Sequence, residues 1–146
     1  MARENEDATF VTVALGVLDM IAGTGRIAVA AHEAPLLFGA GQPPRPLPGL
    51  VRQPPLGAME GIVYRSTAFA FSIGEGLLLY SDGITEAENA VEDFFGRDHL
   101  LTELERLATW DAAPRAVVDG LFASVTAFAD GAPQADDITA LGLRFG

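Results

Sequence analysis

Apolar residues fall in short dense runs through the first half of this chain and at helical spacing only in the second half. Phe10 to Leu18, FVTVALGVL, is rich in β-branched and aromatic residues, and RIAVAA, Arg26 to Ala31, follows after Asp19 and a Gly23-Thr24-Gly25 turn. That pattern predicts two strands joined by a hairpin. Thr12 is almost the only polar interruption, so both faces of these strands are expected to be covered, which asks for more chain than the hairpin itself. A short Leu36-Leu37-Phe38 segment leads into Gly39 to Pro55, where prolines at 43, 44, 46, 48, 54 and 55 exclude helix and nearly exclude a central strand. An extended loop or a sheet edge is predicted there. Ser66 to Ser72 alternates, with Phe69, Phe71 and Ile73 on one face, and Gly74-Glu75-Gly76 reads as a turn into Leu77-Leu78-Leu79-Tyr80. This predicts a second hairpin with a buried last strand.

Two helices follow. Leu100, Leu101, Leu104 and Leu107 recur at helical spacing opposite Glu103, Glu105 and Arg106, with Asp98 favouring the first turn. The next helix takes Asp111 as N-cap, Pro114 in its first turn, and Val117, Val118, Leu121, Phe122, Val125 and Phe128 as its apolar stripe, with Gly131 and Pro133 stopping it. Ile138 to Phe145 predicts a last strand. Tyr80 and Trp110 read as packing residues with one polar tip, and His99 as a surface residue on the polar side of its helix.

At 146 residues the chain has room for one ordinary domain, and 49% apolar with 20% charged residues is a composition that can bury a core. The formal charge of −11 repels nucleic-acid phosphates and anionic membranes, so neither is expected as a partner. With no cysteine, thiolate metal sites, disulfides and a cysteine nucleophile are excluded, and any metal must use oxygen or imidazole. The acidic start, Met1 to Asp7, is unlike a signal peptide, and Phe10 to Leu18 is half the length of a membrane-spanning helix, so a cytoplasmic location is expected.

Acidic residues cluster at two strand boundaries distant in sequence: Asp82, with Glu86 and Glu88, after LLLY, and Asp136-Asp137 before ITALGLRF. If the two strands are neighbours in one sheet, these carboxylates converge at one edge. Carboxylates held close repel one another and recruit a cation, and an all-oxygen donor set selects a hard ion, Mg²⁺ or Mn²⁺. On spacing alone, Asp82-Gly83 reads equally as a turn and Asp136-Asp137 as a solvated loop, since aspartate favours both through local hydrogen bonds. His32, in AAHEAPLL, reads either as a group beside a phosphate or metal or as a packed histidine with one backbone hydrogen bond. Arg26, Arg52, Arg65 and Arg97 read as phosphate-gripping groups or as solvated surface arginines.

Whole segments carry more than any single motif. FVTVALGVLD, the TGR turn, AAHEAPLL, PPLG, FSIGEGLLLYSDGITEAEN, FGRDHL and QADDITALGLRF occur in this order across nearly the whole chain. In this the chain resembles the SpoIIE-like, RsbU-type branch of the PP2C (PPM) protein serine/threonine phosphatases. The resemblance implies an α+β fold, an antiparallel β-sandwich flanked by helices, and two divalent cations, Mg²⁺ or Mn²⁺, activating a water that attacks phosphoserine or phosphothreonine. It implies Asp82 and Asp136 as metal ligands and Asp137, Glu86 and Gly83 as supporting residues, with no side chain assigned the catalytic step beyond the cation-activated water. A phosphorylated protein of a bacterial partner-switching pathway, a STAS-type anti-anti-sigma factor, is the implied substrate.

The chain departs from the family pattern in two places. Nothing before Phe10 matches the family's G-D-x-x-D strand or D-V-x-G-H-G turn, so residues 1–146 are expected to form a single, partial phosphatase domain missing its N-terminal strands and helices. Glu33 also stands where the family more often carries a small residue or proline after the histidine. Two readings follow: a metal-dependent phosphatase, or a truncated, inactive phosphatase-like module that docks a STAS-type protein. The apolar strands further imply self-association into a homodimer.

Overall fold

The computed structural model describes residues 10–146, so the acidic start that argues against a signal peptide lies outside the described residues. Seven strands and three helices follow in the order β1 (Val13–Asp19), β2 (Thr24–Ala30), β3 (Leu36–Gly39), β4 (Gln42–Pro46), β5 (Thr67–Ala70), β6 (Glu75–Tyr80), α1 (Asp82–Thr85), α2 (Gly96–Leu107), α3 (Pro114–Ala129) and β7 (Ala140–Arg144). All pairings are antiparallel. Two antiparallel sheets with helices are the elements of the expected α+β class. The chain divides into two compact units, one built from the chain up to Ala34 with Leu47–Phe71, the other from Pro35–Pro46 with Ser72–Gly146.

The first unit holds a three-stranded sheet in the order β1-β2-β5. The predicted first hairpin is present, running from Val13 opposite Ala30 to Asp19 opposite Thr24. Asp19 closes its turn: one carboxylate oxygen accepts the backbone N–H groups of Ile21 and Ala22 at 3.0 and 2.9 Å, and Gly23 takes the left-handed backbone that follows. Two-sided burial of this hairpin is not found. β1 is the sheet edge, and Leu15 and Val17 are 67% and 75% exposed, because β-branched residues specify a strand without specifying what covers it. Gln53 ties the irregular segment after Leu47 to β2, its amide donating to the carbonyls of Val29 and Arg65, both at 3.0 Å.

The second unit holds a four-stranded sheet in the order β4-β3-β6-β7. Its inner strands, β3 and β6, are almost wholly buried, as expected for LLLY. Leu36, Phe38, Leu78 and Tyr80 pack with Leu100 and Leu104 of α2 and Val117, Leu121 and Val125 of α3 to make the core. The proline-rich segment supplies β4, an edge strand as anticipated, where prolines without N–H groups cost no interior ladder bond.

Three local expectations are corrected. β5 and β6 do not form a hairpin: β5 pairs with β2, and β6 with β3 and β7. Gly76 is a strand residue whose absent Cβ makes room for the Phe38 ring, and Glu75 is buried in an ion pair with Arg45 at 2.5 Å. The turn itself is present one step earlier, at Ile73 and Gly74, where Gly74 takes a positive φ and the Glu75 N–H donates to the Ser72 carbonyl at 3.0 Å, so one glycine serves the turn and the other close packing. Asp111 is not the cap of α3; Ala113 holds that position without a side-chain bond, and Pro114 begins the helix. Trp110 is exposed, not packed, and its loop is held by Arg144, which donates to the carbonyl oxygens of Trp110 and Ala112. Among the described residues no helix is long and apolar enough to cross a membrane.

Candidate metal centre

The two acidic segments meet because β6 and β7 are neighbours, with Tyr80, the last residue of β6, opposite Ala140, the first of β7. One residue further, Ser81 prolongs the ladder. Its N–H donates to the Thr139 carbonyl at 3.0 Å, its hydroxyl donates to the Asp137 carbonyl at 2.9 Å, and the same oxygen accepts the Thr139 N–H at 2.9 Å. Three hydrogen bonds through one serine thus fasten SDG to DDIT. Gly83 then passes so near the opposing backbone that a Cβ there would be driven into the Asp137 carbonyl oxygen. The glycine is required by this approach, since its own φ is not in the left-handed region.

Asp82 opens α1, a single turn in which its carbonyl accepts the Glu86 N–H at 2.8 Å and the Thr85 hydroxyl at 3.1 Å. The Asp136 carboxylate is oriented by its own backbone, accepting the Asp137 N–H at 2.6 Å, while its carbonyl accepts the Gln134 amide at 2.6 Å. Asp82, Asp136, Asp137 and Glu86 are all exposed. Gly83, Glu86 and Asp136 also share the wall of a cavity of about 360 Å³, bounded by the end of α3 and the loop that follows it.

Hard-oxygen chemistry fits a divalent cation, yet among the described residues no group of three or more carboxylate or imidazole side chains is gathered to hold one. The acidic residues at this junction therefore offer oxygen donors without a gathered ligand shell among the described residues. His32 lies in the other unit, where its Nδ1 donates to the Glu33 carbonyl at 3.1 Å, the packed arrangement weighed for it. His99 is exposed and stacks on Phe95, with ring centroids 4.5 Å apart. Arg52, Arg65 and Arg97 are exposed, and Arg26 is engaged by the Ser66 hydroxyl at 3.1 Å. Sequence reasoning missed the fastening role of Ser81. The available signal was a hydroxyl and a Cβ-free residue flanking one aspartate at a strand end.

The fold is that of the PP2C-like phosphatase domains. It superposes on the SiaA PP2C domain of Pseudomonas aeruginosa with a TM-score of 0.75 at 22% identity, covering 92% of this chain and 52% of that one. It superposes on the phosphatase domain of the cell fate determinant SpoIIE from Bacillus subtilis, in a manganese-presoaked crystal, with a TM-score of 0.67 at 18% identity, covering 92% and 56%. The chain belongs to the Stage II sporulation protein E (SpoIIE) family, whose model matches residues 1–146. It is also 28% identical over 144 residues to Protein IcfG of Synechocystis sp., covering 98% of this chain and 22% of that protein. The chain therefore spans about half of these solved domains and under a quarter of that relative.

Proposed function

We propose that this chain contributes one edge of a divalent-cation-dependent phosphatase centre that acts on phosphoserine or phosphothreonine in a protein substrate. The observation that supports it is the Ser81 and Gly83 junction, in which the residues flanking Asp82 lie against the backbone of Asp136, Asp137 and Thr139 at the end of the β6–β7 pair. Asp82 and Asp136 would hold Mg²⁺ or Mn²⁺, and Asp137 and Glu86 would orient its water ligands, with residues beyond the described ones completing the set. A bound cation of this kind supplies water activation and neutralises charge on the phosphoryl oxygens. The protein's own part is to present two exposed carboxylates, one at the start of α1 and one in the loop before β7, and to exclude any side chain at residue 83. Residues 1–146 then act as a single, partial SpoIIE-like domain in the cytoplasm of a bacterium. Its substrate would be a STAS-type anti-anti-sigma factor in a partner-switching pathway.

The test is Mn²⁺-dependent release of phosphate from a phosphoserine protein by the protein that contains this chain. Asp82→Asn and Asp136→Asn should each reduce the rate at least about a hundredfold, the scale of losing a charge-stabilising group. Unchanged rates in both would remove the assignment.

The lack of a third ligating side chain among the described residues favours a second reading, a phosphatase-like docking module without catalysis. Calorimetry of the 146-residue chain with Mn²⁺ tests the second reading in one direction: tight two-site binding eliminates the docking module, because Mg²⁺ and Mn²⁺ need near-complete oxygen shells. Mn²⁺-dependent phosphate release by the protein that contains this chain also eliminates it.

A further inference from the structure

We infer that the cavity beside Asp136 is a recognition pocket for a basic side chain, an arginine or lysine in a partner polypeptide that flanks the residue presented to the Asp82–Asp136 edge. The inference rests on the phosphatase reading for the identity of that neighbouring residue, and on the cavity alone for the side chain it takes. At about 360 Å³ the space lies within the range of pockets that enclose a ligand group. Ala87, Val125, Ala129 and Ile138 contribute apolar wall, while Glu86, Glu88 and Asp136 are its ionisable residues. All three are acidic, and no arginine or histidine lines the space. Among the described residues none of these carboxylates is in an ion pair with an arginine. Glu88, which has no part in the proposed cation site, keeps its charge for a visitor whether or not a cation is bound, and Glu86 and Asp136 add theirs when none is bound.

An apolar interior with carboxylates around it suits a long side chain that is apolar along its stem and cationic at its tip. It disfavours a phosphoryl group, which the same carboxylates would repel, so the cavity complements the phosphate position without competing for it. The chain's formal charge of −11 adds long-range attraction for a basic segment. Since Gly83 and Asp136 belong both to the cavity wall and to the junction of the two acidic segments, the pocket lies within a few residues' reach of the proposed reaction edge.

Fluorescence anisotropy on the 146-residue chain, without metal, tests this with three labelled peptides that differ at one position: arginine, its neutral isostere citrulline, or glutamate. The arginine peptide should bind about tenfold more tightly than the citrulline peptide, with glutamate weakest, and the preference should shrink as salt rises. Ala135→Trp, at an exposed wall residue whose change leaves the core untouched, should fill the space and reduce arginine-peptide binding to the citrulline level. Glu88→Gln should lower the arginine preference alone. Equal binding of arginine and citrulline peptides, or arginine binding unchanged by Ala135→Trp, overturns the pocket. No catalysis enters this measurement, so loss of the preference in a protein that still hydrolyses phosphoserine rejects the pocket only. A retained preference without hydrolysis rejects the phosphatase reading only.

Discussion

Both sheets of this protein contain strongly apolar strands, and those strands end in opposite states. In the β4-β3-β6-β7 sheet, Leu36, Phe38, Leu78 and Tyr80 disappear beneath α2 and α3. In the β1-β2-β5 sheet, Leu15 and Val17 of the edge strand stay in solvent, and Ile21 at the adjoining turn is almost wholly exposed. Composition alone does not separate them. What differs is sequence neighbourhood: the strands of the second unit are followed by two amphipathic helices that fold back on them, and β1 has no such cover among the described residues. The candidate centre sits in the unit with the helix-covered core, beside the paired ends of β6 and β7, where Ser81 and Gly83 fasten the two acidic segments together.

The contrast should be largest in truncation experiments. Leu121→Ala, at a fully buried α3 position, should cost about 2–5 kcal/mol in urea unfolding, whereas Leu15→Ala should change stability by about 0.5 kcal/mol or less. A comparable loss at Leu15 would mean that β1 is covered in solution, and sedimentation would show by what. Val13 to Leu18 has no charged residue to guard an open edge, so self-association at high concentration is expected, with Val17→Lys returning a monomer.

Glycines sharpen the comparison at smaller scale. Gly83→Ala should destabilise by about 1–3 kcal/mol, because the new methyl group must displace the Asp137 backbone. Gly16→Ala in β1 meets nothing nearer than 3.7 Å, so its thermal midpoint should scarcely move. Equal shifts for the two would remove the steric account of the SDG–DDIT junction.

The smallest effect is electrostatic. Hydrogen bonds from Arg106 and Ser124 hold the Glu103 carboxyl below the usual carboxylate range. A group whose folded pKa is depressed contributes stability in full above its unfolded value and loses it as pH falls through the folded one. Thermal unfolding of Glu103→Gln should therefore converge with the parent in acid and lie below it at neutral pH. A constant difference at every pH would show that packing, not charge, is what Glu103 provides.

Several features were legible from residues alone. Leucines at helical spacing placed α2 and a mixed valine, leucine and phenylalanine stripe placed α3, the proline run marked an edge, and the acidic clusters after LLLY and before ITALG marked the candidate site. Each is a local signal, set by side-chain period or by a missing N–H. Where the reading failed, one local composition served two purposes. Gly74-Glu75-Gly76 looks like a hairpin turn, and instead Gly76 clears space for Phe38 while Glu75 pairs with Arg45. Trp110 looks like a core residue and lies exposed on a loop held by Arg144.

By itself the sequence determined the helices, most strands, the hard-oxygen character of the candidate site and the family resemblance, because all of these follow from residue type and spacing. Tertiary structure alone decided that β6 joins β7 and leaves β5, that Ser81 binds two acidic segments into one junction, and that Leu15 remains in water. Those outcomes depend on which strand's hydrogen-bonding edge and which apolar face are satisfied by distant chain, and no local pattern encodes a partner.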